Sequence, residues 1–350
     1  MIWETLMEKT LTIAVPAYNA AKYLEKCFAS VTGGDVAADI EVIVVNDGST
    51  DNTGELAAEY AEKYPGIISV IDKENGGHGS GINAAIKKAA GKYFKVLDAD
   101  DTLRSENMAA YIEALRSTDA DVVLTNFETV DMTTGRVQLF ATNGIEYGRK
   151  YTAEELKDFP REAFACSTFH GITYNTDFYR QSGVVLSEKI FYEDQEYATL
   201  PYLKMDSLVA FDIVLYEYMI GNAEQSVSDQ NQVKRKDQIE RVTWNIVDCY
   251  VENPQMGEGR KRYFEHKISD IVLSYYVVSL IKNRDRKQGR ADAEHMRTTL
   301  GEKCPLLVEK TDRKYKIVRT LGRLHINNDR LEKMKQSRFY MKLFRAVRGK

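Results

Sequence analysis

Four short apolar runs separated by helix-like segments constrain this 350-residue chain more than anything else in it. The runs are residues 11–15, 40–45, 67–71 and 93–97. Each is rich in Val and Ile and too uniformly apolar for a strand with one wet face, which is how buried parallel strands read. Between them, residues 21–31, 51–63 and 81–90 have helical patterns. Strand and helix in alternation imply βαβ units and a doubly wound, mostly parallel sheet flanked by helices. Such sheets bind ligands in the crevice beyond the carboxyl ends of their strands.

The residues that follow each run support that placement. They are Pro16-Ala17-Tyr18-Asn19, Asn46-Asp47-Gly48-Ser49, Asp72-Lys73-Glu74-Asn75-Gly76-Gly77-His78-Gly79 and Asp98-Ala99-Asp100-Asp101. All four ends carry polar, charged or ring groups destined for one sheet edge. Tyr18 offers a flat face on which a base can stack. Asp47 can accept hydrogen bonds from a ring N–H or ribose hydroxyls. Gly76, Gly77 and Gly79 let the backbone come close to a ligand. Three carboxylates within four residues repel unless something neutralises them. Mg²⁺ and Mn²⁺ prefer such hard oxygen ligands and complete their shells with phosphate oxygens. The bland alternative is an Asp-rich turn before the helix that starts near Ser105.

In order and spacing, Val15-Pro16-Ala17-Tyr18-Asn19, Val45-Asn46-Asp47-Gly48-Ser49-Thr50-Asp51, Asn75-Gly76-Gly77-His78-Gly79 and Leu97-Asp98-Ala99-Asp100-Asp101 resemble the family 2 glycosyltransferases. The motifs cover the first hundred residues, and weaker family features run to about residue 230. The resemblance implies the GT-A fold with an α-helical C-terminal extension. It also implies an inverting transfer assisted by Mn²⁺ or Mg²⁺. On it, Tyr18 packs on the uracil near Pro16 and Asn19, and Asp47 bonds the base or ribose. Lys73, Gly77 and Asn83 lie where relatives contact nucleotide or donor groups. Asp98 resembles the ribose-side carboxylate and Asp100 the metal ligand. Asp101 either supports the metal or caps the next helix. The stretch Gly76-Gly77-His78-Gly79-Ser80-Gly81 has more glycines than the common family pattern. His78 in it is either a diphosphate contact or an incidental loop residue.

Residues 191–203 read as one helical segment opening on Glu193-Asp194. That pair resembles the family's Glu-Asp motif, whose Asp is the catalytic base. A single displacement needs a base to take the acceptor hydroxyl's proton as it attacks. The alternative is an acidic first turn favoured by the helix dipole. Phe169-His170-Gly171-Ile172-Thr173-Tyr174 falls where the family places the strand beside the acceptor, which makes His170 either an acceptor contact or a structural histidine. Gln225-Ser226-Val227-Ser228 resembles the family's segment that closes over the diphosphate. Relatives often carry an arginine there; this chain offers Asn222 and Gln225.

Charge divides the chain. Residues 1–230 hold 19 Lys and Arg against 37 Asp and Glu, whereas residues 231–350 hold 29 against 15. This asymmetry marks an expected boundary near residue 230. It gives a catalytic domain over 1–230, with a nucleotide-binding half 1–104 and an acceptor half 105–230, and a helical region over 231–350. Residues 239–250 and 263–281 have helical periodicity with Asn253-Pro254 between them. Ile268, Ile271, Val272, Tyr275, Tyr276 and Ile281 are expected to pack against the catalytic domain.

Residues 330–350 mix basic with large apolar side chains, a pattern that suits an anionic membrane surface or a helix docked on the acidic domain. No recognised nucleic-acid module accompanies that charge, so nucleic acid is not expected as a partner. Four scattered cysteines argue for reduced thiols and a cytoplasmic setting, at or away from the inner membrane face. Residues 1–10 do not read as a signal peptide.

The expected activity is transfer of a sugar from a nucleotide donor, UDP-linked by resemblance, to a hydroxyl of a glycan or polyprenyl-diphosphate-linked acceptor in surface polysaccharide synthesis. The competing readings are a sugar-nucleotidyltransferase and a non-catalytic nucleotide- or glycan-binding protein. The former is discounted because residues 15–19 lack its glycine-rich basic loop.

Overall fold

A computed structural model describes residues 9–33, 36–221 and 229–326, together with Asn328, Arg330 and Leu331. Its core is a ten-stranded sheet. The first strands are β1 (Leu11–Ala17), β2 (Ile40–Asp47), β3 (Ile68–Lys73) and β4 (Tyr93–Val96), joined through α1 (Ala21–Thr32), α2 (Thr53–Lys63) and α3 (His78–Lys88). The two-residue β5 (Thr102–Leu103) and α4 (Met108–Arg116) lead into β6 (Val122–Asp131), β7 (Val137–Phe140), β8 (Lys150–Thr152) and β9 (Ile172–Asn175). Then come α5 (Thr176–Ser182), the single turn α6 (Asp194–Tyr197) and the long β10 (Ser207–Ile220).

The strand order is β3-β2-β1-β4-β9-β6-β10-β5, with β7 on β6 and β8 on β10. Strands β1 to β4 pair in parallel. Strand β9 is antiparallel to both β4 and β6. Two reversals restore direction, so β6 and its parallel partner β10 run with β4. The carboxyl ends of β1, β2, β3, β4, β6 and β10 therefore share one edge, and the amino end of β9 joins them there.

Burial explains why these runs became strands. β1 is buried at every position, and Ile13, Val15, Val42, Val44 and Val96 have no measurable exposure. β3 departs from the expected buried strand. It is the sheet edge, only Ile68 in it is buried, and Ser69 and Asp72 are exposed. Its apolar side chains cover one neighbour only, which an apolar run alone does not reveal. Helix α1 presents Leu24, Cys27, Phe28 and Val31 to the core at three- and four-residue spacing. Helix α3 starts at His78, three residues earlier than its periodicity suggests, which puts the motif histidine in the first turn. The segment 191–203 is not one helix: α6 ends at Tyr197, and a separate 3₁₀ turn, Leu200–Leu203, holds Pro201 in its opening positions.

The chain separates into two compact units. One comprises residues 1–225 and 253–264, the other 226–252 and 265–350. The short segment 253–264 thus groups with the sheet. The second unit is helical, with α7 (Asp229–Lys234), α8 (Lys236–Glu252), most of α9 (Glu258–Val277), a π turn Val278–Lys282, α10 (Arg286–Lys303) and α11 (Pro305–Arg323). Tyr276 packs its ring on Tyr315 at 5.0 Å, and the Tyr275 hydroxyl bonds Glu240 at 3.0 Å. These two aromatics serve their own unit. Among the described residues, no helix is long and apolar enough to cross a membrane. All four cysteines are free thiols.

Candidate active site

The loops after β1 and β2 are tied to one another. Asn19 has φ +50°, a conformation asparagine tolerates, and its side-chain oxygen accepts the Thr50 amide at 2.8 Å. Its own amide donates to Ser49 Oγ at 3.0 Å. Beside this tie, Pro16 is buried while Tyr18 stands 53% exposed, a free aromatic face at the strand-end edge.

Asp47 closes β2 and is only 3% exposed. Its Oδ1 accepts Lys73 Nζ at 2.6 Å and the Gly76 amide at 2.9 Å; its Oδ2 accepts the Gly77 amide at 2.7 Å. Asp47 and Lys73 thus anchor the glycine loop from beneath. Gly77 there has φ +83°, open to glycine at little cost. Asn83 points elsewhere. Its side chain exchanges two 3.0 Å bonds with the backbone of Leu186 and reaches Glu188 at 3.2 Å. It fastens the segment before α6 onto α3.

The acidic turn after β4 is compact: one carboxylate oxygen from each of Asp98, Asp100 and Asp101 lies within 4.8 Å of the others. Asp101 is buried and neither caps the following helix nor faces solvent. Its two oxygens accept the Tyr216 hydroxyl and the Met219 amide, each at 2.7 Å, fixing β10 to the turn. Burial, then Asp98 and Asp100, hold its carboxyl well above the usual range. Three carboxylates within reach of one point form an all-oxygen donor set, which fits a hard divalent cation.

His78 spans the site. Its Nε2 lies 2.8 Å from Asp98 Oδ1 and its Nδ1 2.7 Å from Glu193 Oε1. With a carboxylate at each nitrogen, both donate, and the ring is an imidazolium. Burial alone would lower its pKa, but Asp98 and then Glu193 outweigh that and hold it well above 6.5. The same pairing keeps Asp98 below the usual range against the opposing effect of burial.

Glu193 is 4% exposed and committed to His78, whereas Asp194 is half-buried, with Oδ2 accepting Gln195 Nε2 at 2.8 Å. Asp194 also belongs to this locality electrostatically. The Tyr218 phenol is pushed up by burial and then by Asp101, Asp98, Asp194 and Asp100 together.

His170 sits among rings. It stacks on Tyr218 at 4.3 Å and Phe127 at 5.1 Å, with Phe169 and Tyr216 edge-on. Burial, assisted by Lys95, pulls its pKa down to about 4, so it is neutral near pH 7. Gln225 and Asn222 lie outside the described residues.

Lys95 was hidden inside the apolar run. It is fully buried in β4, and its Nζ donates to the carbonyls of His170 at 2.8 Å and Ile172 at 3.3 Å. Burial takes its pKa down to about 7. A lone cation amid Tyr93, Phe94, Val96 and Leu97 was the available signal. Tyr216 gave none, because its hydroxyl's partners in the acidic turn lie more than a hundred residues away in sequence, and Tyr218 gave none, because it meets His170 only through the fold.

The pattern of glycosyl transferase family 2 matches residues 12–177. The glycosyltransferase GlyG of Streptococcus pneumoniae serotype 4 is 26% identical over 270 residues, 73% of this chain and 86% of that protein. The teichoic acid poly(glycerol phosphate) polymerase of Staphylococcus epidermidis is 32% identical over 303 residues; that stretch is 78% of this chain but 40% of the polymerase. In fold, the chain resembles residues 1–349 of S. aureus TarS in complex with UDP-GlcNAc. There the TM-score is 0.60 at 18% identity, covering 91% of this chain and 92% of that one. With its mostly parallel sheet and the motifs on one edge of it, this chain is a glycosyltransferase whose residues 12–177 form a glycosyl transferase family 2 domain.

Proposed function

We propose that the protein transfers a sugar from a UDP-linked donor to an acceptor hydroxyl with inversion at the anomeric carbon. The observation that carries this reading is that His78 bonds both Asp98, in the acidic turn with Asp100, and Glu193, the neighbour of Asp194, at the sheet edge. Tyr18 stacks on the uracil beside Pro16 and Asn19. The loop that Asp47 and Lys73 hold in place, with Gly77 at its crest, lies along the nucleotide. Asp98 meets the ribose. Asp100 holds a divalent cation, Mn²⁺ or Mg²⁺, which when bound stabilises the charge of the departing UDP.

Asp194 acts as base and takes the acceptor proton as its oxygen attacks C1, so no covalent sugar–enzyme intermediate forms. Glu193 is the poorer base: it is buried and bonded to His78. His170, neutral and stacked, forms part of the acceptor wall. The acceptor is a glycan or a polyprenyl-diphosphate-linked glycan in surface polymer synthesis, in keeping with a relative named as a teichoic acid polymerase. Residues 330–350, nearly all outside the described part, hold the enzyme to an anionic inner membrane face. The basic region 231–350 forms a domain of its own apart from the short segment 253–264, which groups with the catalytic unit.

The test measures UDP release across a panel of UDP-sugars, with the anomeric configuration of the product read by NMR. An axial product from an axial donor overturns the single displacement. No turnover with any donor under conditions in which UDP binds would favour a binding protein.

A further inference from the structure

One side chain joins the donor end of the sheet to the turn that carries the proposed base. His78 opens α3 and bonds Asp98 through Nε2 and Glu193 through Nδ1. Other contacts fasten the same stretch, 186–193, to the start of α3. The Lys189 amide donates to the Gly76 carbonyl at 2.6 Å, and Asn83 holds Leu186 by two bonds. Gly79 makes the close packing possible. A Cβ on it would lie 2.5 Å from the Ser187 carbonyl oxygen and 2.9 Å from Glu193 Cγ.

The backbone between these fastenings is strained. Lys189 has φ +59° and Tyr192 φ +74°, and a bulky Tyr with positive φ is an outlier. Such conformations persist where the surroundings over-determine them, and they concentrate at sites with a mechanical role. The stretch is therefore held under load against α3. His78 is its last fastening before Asp194.

We infer that His78 is a positioning residue that couples occupation of the donor side at Asp98 to the placement of the Glu193–Asp194 turn. This rests on the donor reading above, in which Asp98 meets the nucleotide. A nucleotide that engages Asp98 changes that carboxylate's bond to Nε2. The ring is rigid, so its other nitrogen passes the change to Glu193, whose neighbour is the base. Coupling of this kind needs contacts that differ between the free and bound states, and the shared imidazole supplies one.

The experiment compares the full chain with its His78→Ala and Glu193→Met variants by amide hydrogen exchange. Each is measured free and saturated with UDP and Mn²⁺, with saturation verified by calorimetry. The reporters are the amides of Gln195, Tyr197 and Ala198, which bond Tyr192, Glu193 and Asp194 carbonyls. In the wild type, UDP should slow their exchange at least about threefold. In both variants that response should vanish, while the Gly76 and Gly77 amides still respond. Glu193→Met keeps the side-chain length, offers no acceptor to His78 Nδ1 and leaves Asp98 untouched, so it serves if His78→Ala does not fold. A full response at 195–198 in either variant overturns the coupling, and so does no response in the UDP-saturated wild type. A wild type that does not bind UDP overturns the donor reading itself, a different and separately visible failure.

Discussion

Replacing Asp47 by asparagine asks what holds the glycine loop when no nucleotide is present. The carboxylate takes three hydrogen bonds while almost fully buried: Lys73 Nζ at 2.6 Å, the Gly76 amide at 2.9 Å and the Gly77 amide at 2.7 Å. Asparagine offers one acceptor oxygen and presents an NH₂ to a donor. Bonds to a charged acceptor contribute roughly 1.5–3 kcal/mol each and neutral ones about 1 kcal/mol. The Lys73 side chain is 25% exposed, so solvent screens its share and the two amides dominate. Losing one amide bond outright and weakening the other puts the cost at about 2–4 kcal/mol. In a unit of this size that lowers Tm by roughly 4–16 °C, at 2–4 °C per kcal/mol. Thermal unfolding of the ligand-free Asp47→Asn variant measures it, with exchange of the Gly76 and Gly77 amides as the local readout. A Tm within about 2 °C of the wild type, with both amides still protected, would refute the anchoring argument. If only UDP affinity fell, Asp47 would be a ligand contact and nothing more.

Asp100→Asn should abolish the metal dependence of UDP binding along with turnover; calorimetry giving equal UDP affinity with Mn²⁺ and with EDTA in the wild type would sink the metal assignment. Asp194→Asn should keep UDP affinity and lose turnover by orders of magnitude, and a wild-type rate would move the base elsewhere. His170 has a folded pKa of about 4, below the ordinary 6.5, so the unfolded chain binds more protons in that window. Stability from this group is therefore full above pH 6.5 and is lost on acidification towards pH 4. His170→Phe keeps the stack and should flatten that part of the pH–stability curve in urea unfolding; unchanged slopes would count against it. Removing residues 330–350 should reduce co-sedimentation with anionic vesicles, and the full chain's binding should weaken as salt rises. Equal sedimentation of the two would favour a docked helix.

What was readable in the sequence was local. Each strand end is a contiguous motif, so Tyr18, Asp47 and Asp98 could be placed on one edge from the βαβ alternation alone. The edge position of β3 was not readable, because an apolar run does not say how many neighbours cover it. Contacts between distant residues were equally hidden. His78 meets Glu193 across 115 residues, and Asp101 meets Tyr216 across 115. Neither partner carries a spacing signal, so Asp101 was legible as a helix cap or metal support but not as the tether for β10 that it also is. Lys95 was missed because averaging over a run conceals one charge within it.

The reversed strand β9 also bears on how such a chain can diversify. Every residue assigned to the donor lies before β5, on strand ends that follow one another in sequence. The stretch 132–171 leaves β6, forms β7 and β8, and returns at the sheet edge as the loop that carries His170 into β9. It pairs with β6 and β10 through β7 and β8, so its register is set apart from that of β1–β4. On the proposed reading, in which His170 lines the acceptor, exchanging that stretch between relatives is the graft that would change what is glycosylated while keeping the same nucleotide sugar.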